Sequence, residues 1–175
     1  LQITRSERHP QAAELYADGP HLAVGRFEIG DDRLGTETAN TIDVGLRREG
    51  FVHWHASLYY SDFADYIYVA ATGAEEDGLP VFQYVQRDAE FYGLEAEIEF
   101  PLHESDAGAL HARLGGDYVR GELSNGGNLP QIPPLRLMAA LEFDTGPLHA
   151  AVDLQWFDDQ DDIAVDETAT DGGTL

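Results

Sequence analysis

Residues 135–157 read LRLMAALEFDTGPLHAAVDLQWF, and their alternation decides the fold. Leu135, Leu137, Ala139, Leu141 and Phe143 fall on one side of an extended chain. Arg136, Met138, Ala140, Glu142 and Asp144 fall on the other. Beyond Thr145-Gly146 the pattern resumes, with Leu148, Ala150, Val152, Leu154 and Trp156 against His149, Ala151, Asp153, Gln155 and Phe157. This is a β-hairpin that is greasy on one face only. A two-residue turn sets Phe143 opposite Leu148 on the apolar face and Glu142 opposite His149 on the polar one.

The same period runs outward through the chain. Ile42, Val44 and Leu46 alternate with Asp43, Gly45 and Arg47. After a short turn at 48–50, Val52, Trp54, Ala56, Leu58 and Tyr60 alternate with His53, His55, Ser57, Tyr59 and Ser61. A three-residue turn there pairs Leu46 with Val52 and Asp43 with His55. Tyr92, Leu94, Ala96, Ile98 and Phe100 alternate with Gly93, Glu95, Glu97 and Glu99; Leu110, Ala112, Leu114 and Tyr118 keep the same period. The count reaches about seven antiparallel strands, with helix confined to one short turn near His9–Tyr16. Connections near 48–50, 102–108 and 145–146 are short, whereas those near 9–39, 71–81, 120–133 and 159–175 are long and polar. Short and long alternate, which places all the short ones at one end of the sheet.

Composition narrows the partners. The 175 residues contain no cysteine, so disulfides and thiolate metal sites are excluded. The ten basic residues are all arginine, against 33 acids, for a formal charge of −23. Nucleic acid needs a cationic footprint and is not expected as a partner. Such a surface suits cations or a saline medium. No apolar run approaches the ~20 residues of a membrane helix. Neither terminus reads like the end of a protein, and the chain is expected to be a piece of a longer one.

Three features make lipid the medium of the apolar face. The short and long connections segregate as in outer-membrane barrels. Aromatics on that face gather near strand ends: Tyr60, Tyr92, Tyr118 and Trp156 toward the long loops, and Trp54, Phe100 and Phe143 toward the short turns, as two interfacial girdles would. The strand region from 52 to 69 exceeds the ~5–6 residues of an ordinary strand. The opposite face carries Glu95, Glu97, Glu99, Arg113, Asp117 and Asp153, which a dry core could not hold without heavy desolvation cost. A wet lumen can. The expected fold is an up-and-down antiparallel transmembrane β-barrel.

Several segments resemble TonB-dependent outer-membrane receptors. RHPQAAELY (8–16) resembles the family's R-x-P-x-x-x-E-L-Y stretch at Arg8, Pro10, Glu14, Leu15 and Tyr16. FEIGDDRLGTETANTIDVGLR (27–47) resembles the family's next segment, through Gly30, Asp31, Leu34, Glu37, Asn40, Asp43 and Gly45. FYGLEAEIEF (91–100) is similar to the recurrent G-x-E strand at Gly93 and Glu95, and NLPQIPPLR (128–136) to a P-x-I-P-P-x-R strand start at Pro133, Pro134 and Arg136. GPHLAVGRFEIGD (19–31) is most similar to a zinc-regulated, metal-related branch. The resemblance covers nearly the whole chain in family order. It implies the C-terminal portion of a barrel of about 22 strands, with the plug domain and the last strand lying outside 1–175. It further implies import of a metal ion or metal chelate (zinc favoured; iron–siderophore or haem the alternatives), energised by a TonB-type inner-membrane partner.

Candidate sites lie both in the lumen and in the loops. His53 and His55 lie on the lumen face, one step apart; with Asp43 opposite His55 they could offer nitrogen and carboxylate to a metal, but ordinary lumen hydrogen bonding is the favoured explanation of them. Glu142 and His149 form a similar pair. His21, in the long loop where cargo would arrive, is the stronger metal-capture candidate, with His9 and Glu14 as companions. DDQDDIAVDETATDGG (158–173) lacks the spacing of a calcium loop, with Gln160 and Ile163 at key positions, and reads as a diffuse cation-attracting loop. Arg8 and Arg136 are expected to pair with acids and fix loop geometry. Pro133-Pro134 opens a strand where a missing N–H is tolerated. No nucleophile, zinc-protease or phosphate-loop motif is present, so neither catalysis nor a cofactor is expected. Two rivals remain: another kind of outer-membrane barrel, such as a passive channel or docking surface, and a soluble calcium-dependent β-rich module.

Overall fold

The computed structural model describes residues 1–175. Its long strands are β1 (Gln2–Arg8), β4 (Glu37–Arg48), β5 (His53–Glu76), β6 (Leu79–Ser105), β7 (Gly108–Leu123), β8 (Arg136–Asp144) and β9 (His149–Phe157), the seven that alternation anticipates. They pair antiparallel, each with its sequence neighbour in that order, and a short β10 (Gly173–Thr174) continues beyond β9. The segment between β1 and β4 folds into helix α1 (Ala12–Tyr16) and two short strands, β2 (Asp18–His21) and β3 (Arg26–Ile29).

The burial pattern answers the question of medium. Only 14 of the 175 residues are buried, far too few for a sheet packed against a second layer. Leu58, Leu137, Leu141, Val152 and Leu154 are all exposed, on the face expected to meet hydrocarbon. The opposite face carries ion pairs instead: Arg136 with Asp117 at 2.7 Å, and Arg113 with Glu142 at 2.7 Å. One side is built for hydrocarbon and the other for water.

The aromatic rows step in the way a tilted wall requires. Tyr60 stands directly opposite Tyr92. Tyr118 stands opposite Leu94, one pleat repeat lower on the ladder, and Trp156 joins the row of Gly116 and Leu137, lower again. The second girdle descends in the same sense, from Trp54 opposite Ile98, to Phe100 opposite Ala112, to Phe143 opposite Leu110. A level aromatic belt crosses the hydrogen-bond rows diagonally only if the strands lean, as barrel strands do. On β6 the interval from Tyr92 to Phe100 matches the ~9–11 residues that cross hydrocarbon.

Both expected hairpin registers need correction. The 145–148 turn holds four residues, with the Thr145 N–H donating to the Leu148 carbonyl at 2.9 Å. Phe143 therefore faces Ala150, and Asp144 rather than Glu142 faces His149. The first hairpin shifts further: His55 faces Arg47, and Asp43 faces Tyr59. Each shift is an even number of residues, so every side chain keeps its face.

A third correction concerns 71–81, expected as a loop. β5 and β6 instead continue as one tall hairpin, closed by Asp77 and Gly78 at φ 53° and 76°, the left-handed pair of a tight hairpin turn. The upper part of β6 gains a partner from elsewhere: β3 adds to it in parallel, Phe27–Ile29 against Val81–Gln83. Most of the few buried apolar residues, including Phe27, Ile67, Val81, Ala89 and Leu129, lie toward this end, whereas Ala112 and Ala140 lie within the wall. Those at the loop end form a small core among the loops, above the lipid.

Candidate functional site

The mouth, at the long-loop end, is organised by two carboxylate hubs. Arg8 closes the first from the end of β1. Its Nη1 donates to both oxygens of Glu14 at 2.9 Å, and its Nε and Nη2 reach Glu37 at 3.3 and 3.0 Å. Glu37 is buried and also accepts the Ile67 N–H at 2.9 Å, satisfying a β5 backbone group just beyond the last residue paired with β4. Hydrogen bonding to Glu37 is the chief reason the Arg8 guanidinium is held even more firmly protonated than usual. Glu14 in turn accepts the Gln11 N–H at 2.7 Å at the start of α1. The Arg8, Glu14 and Glu37 of the family-like segment thus form one brace joining β1, α1, β4 and β5.

Gly30 explains itself by close approach. A Cβ there would fall 2.5 Å from the Leu15 carbonyl carbon, because the chain runs against the end of α1. At that contact the Gly30 and Asp31 N–H groups donate to the Ala17 and Glu14 carbonyls at 2.7 and 2.9 Å. Asp31 is gripped by the side chain and the N–H of Arg33, which hold its carboxyl down at about 2.

The second hub is Glu28, buried on β3. Arg26 Nε donates to it at 2.7 Å, the Tyr84 hydroxyl donates at 3.1 Å, and His21 Nδ1 lies 3.0 Å away. Burial pushes this carboxyl upward, but hydrogen bonds from His21, Arg26 and Tyr84 outweigh it and leave it below its ordinary value. Arg26 also lies over the Phe82 ring at 5.1 Å. Glu28 therefore ties the β2–β3 hairpin to β6.

The metal-capture set expected from sequence is dispersed. His21 joins Glu28, whereas Glu14 is engaged by Arg8, and His9 Nδ1 sits 3.0 Å from the Thr36 hydroxyl. No three His, Asp or Glu side chains are placed to share a metal. In the lumen, His53 sits 2.8 Å from Glu49, His55 3.6 Å from Glu95, and His149 3.6 Å from Asp144. The Asp43–His55 and Glu142–His149 partnerships do not form, because the registers shift. The acidic 158–173 loop spends several of its carboxylates on bracing. Asp162 pairs with Arg120, and Glu167 accepts the Gln131 and Ala164 N–H groups at 2.7 and 2.9 Å.

Sequence reasoning did not find Glu28 as a hub, nor Tyr84 as its partner. The parallel β3–β6 pairing joins positions more than fifty residues apart, and no local pattern encodes it.

Residues 1–174 match the family model described as TonB dependent receptor-like, beta-barrel. Among solved structures, the chain is similar to that of "Copper transporter OprC", with a TM-score of 0.82 and 24% identity over 99% of this chain and 27% of that one. It is also similar to the outer membrane transporter YddB from Escherichia coli, with a TM-score of 0.52 and 16% identity over 78% of this chain and 22% of that one. The chain spans about a quarter of the length of these structures. With a lipid-facing wall, a wet inner face and a matching family model, the chain belongs to the TonB-dependent receptors, as part of a β-barrel in the Gram-negative outer membrane.

Proposed function

We propose that the intact protein is an active outer-membrane receptor that takes up a metal ion or metal chelate, driven by a TonB-type inner-membrane complex. The carrying observation is the joining of a wet, ion-paired inner face to a mouth whose loops are folded onto the wall by Arg8 and Glu28. Loops organised in this way suit a receptor that must recognise before it admits. The acidic surface favours arrival of metal cargo over free anions.

Zinc is the favoured metal because GPHLAVGRFEIGD resembles the zinc-regulated branch, and this segment carries His21 and Glu28. Copper is the nearest competitor, given the name of one structural neighbour. The wall and loops supply shape, field and contacts, with no bond made or broken.

The test deletes the complete gene and tracks growth and metal uptake under separate zinc, copper and iron limitation, with and without a protonophore. Loss of energy-dependent uptake of one metal, restored by the gene, supports the proposal. Uptake unchanged by the protonophore favours a passive channel and refutes it.

A further inference from the structure

The tall β5–β6 hairpin is flanked unequally above the wall. On its β6 side, β7 pairs up to Ala89–Leu123, and β3 then adds Phe27–Ile29 against Val81–Gln83. On its β5 side, β4 pairs only as far as Thr38–Ala64, while β5 runs on to Glu76. The Ile67 N–H points to that side, where Glu37 accepts it at 2.9 Å. Orientation alternates along an antiparallel strand, and Tyr66–Ala71 pairs with Phe82–Arg87 without a break. Val69 and Ala71 therefore also turn their N–H and C=O groups away from β6. No strand or loop backbone binds them.

This edge lacks the usual protections. Ile67–Thr72 reads IYVAAT, led by β-branched and aromatic side chains and free of charge and proline. Native proteins blunt an open edge with charge, proline or a bulge, or else they cover it. Between Tyr66 and Ala71 there is nothing to blunt it, so the intact molecule must cover it. Acids stand beyond both ends: Asp62 and Asp65 below, and Glu75, Glu76 and Asp77 above, all exposed. Pairing with a second copy, in antiparallel or parallel register, would set acids against acids, which is unfavourable.

Topology points to another source. β1 pairs with β4 alone, and an unpaired edge does not persist in lipid, so the wall continues past β1, on the side to which the bare edge turns. Strands stand about 4.8 Å apart, which puts the next wall strand roughly 14 Å from β5. A long outer loop spans that distance. The connection between β1 and β4 makes a comparable crossing, because its β3 passes beyond β5 to reach β6. The other edge of the same hairpin is thus already completed by a loop strand, in three rungs.

Resting on the receptor reading above, we infer that the outer loop joining the two wall strands before β1 adds a strand along Val69 and Ala71. The mouth then carries one upright sheet in the order added strand, β5, β6, β3. Its outer members come from two different loops. Main-chain hydrogen bonds fix the addition, and the acids at both ends favour basic residues flanking the added strand.

The test uses the complete receptor in detergent. The Val69 and Ala71 amides should exchange hydrogen at least about a hundredfold more slowly than free strand amides. Shortening that outer loop to a two-residue turn should release both, but not Tyr68 and Ala70, whose N–H groups face β6. Val69→Pro removes one edge donor, leaves the β6 ladder whole and should release Ala71. Independently, Ala71→Cys combined with a cysteine at successive loop positions should form a disulfide at alternate positions, the period of a strand. Fast exchange at Val69 and Ala71 in the unsubstituted receptor, or no disulfide at any loop position, overturns the inference. So does a dimer cross-linked by Ala71→Cys alone, which would make a second copy the occupant. Metal uptake by the same strains keeps the two levels apart. Slow exchange without energy-dependent uptake removes the receptor reading and leaves the added strand; fast exchange with uptake intact does the reverse.

Discussion

The Tyr59 ring occupies the space that a side chain at Gly93 would need. The two residues face each other across β5 and β6, and a Cβ at 93 would fall 2.7 Å from Tyr59 Cε1 and 2.5 Å from the Tyr118 carbonyl oxygen. The glycine of the family-like G-x-E strand is thus a steric requirement, the usual meaning of glycine inside a strand. Gly93→Ala should destabilise the barrel by about 1–3 kcal/mol, the usual cost of overpacking. A lowered temperature for loss of the compact band in heat-modifiability gels checks it. Tyr59→Ala in the same background should recover part of the loss, and failure to do so would argue against the ring as the obstruction.

Substitution on the two faces of β9 should have opposite outcomes. Val152 is 69% exposed on the lipid side, midway along its strand. Val152→Arg should cost about 2–4 kcal/mol in a bilayer. Gln155→Arg, on the wet side, should change stability by less than about 0.5 kcal/mol, as surface substitutions usually do. Urea titration of the complete protein folded into lipid vesicles measures both. Equal effects would contradict the assignment of faces.

Removing the Glu37 carboxylate should loosen the mouth and spare the wall. Glu37→Ala strips Arg8 of one partner and leaves the Ile67 N–H unsatisfied. Leaving a buried donor unpaired costs about 1–3 kcal/mol. Trypsin cleavage at Arg26 and Arg33 should accelerate about tenfold or more, while the barrel band stays intact. Unchanged cleavage would show that the brace does not hold the loop.

The β2–β3 hairpin should detach in acid. The Glu28 carboxyl sits below its ordinary value of 4.5 in the folded loop. A depressed folded pKa contributes stability that is full above the ordinary value and fades as pH falls through the depressed one. Cleavage of the hairpin by an acid-active protease should therefore rise as pH drops below about 4.5. Glu28→Gln should be cleaved readily throughout, with the pH dependence flattened. A pH profile identical in both proteins would refute the role of Glu28.

The wall was far more legible than the mouth. Alternation identified the strands and assigned Leu141 and Val152 to lipid and Glu97 and Asp153 to the lumen, because period 2 fixes a side chain's face directly. Register was misread because a shift of two or four residues leaves each face unchanged; only turn geometry at 145–148 and 49–52 decides it. The tall hairpin carried its own signal, Asp77-Gly78 between strand-forming runs, which its polar surroundings obscured. Arg8, Glu14 and Glu37 stood out through the family-like motif. The Glu37 arm of their brace, and the reach of Tyr84 to Glu28, depend on long-range pairing that composition and spacing do not record.

The stepped aromatic rows separate adjacency from depth. Leu94 and Tyr118 touch across a ladder, yet Tyr118 shares its depth with Tyr92, two residues away on the neighbouring strand. Residues joined rung to rung thus meet different solvents, one among acyl chains and its partner among headgroups. Tolerance of polar substitution, quenching of attached probes by lipid-borne quenchers, and sorting between thin and thick bilayers should all trace contours slanted across the sheet, so that the molecule's waterlines are drawn obliquely to its own scaffolding.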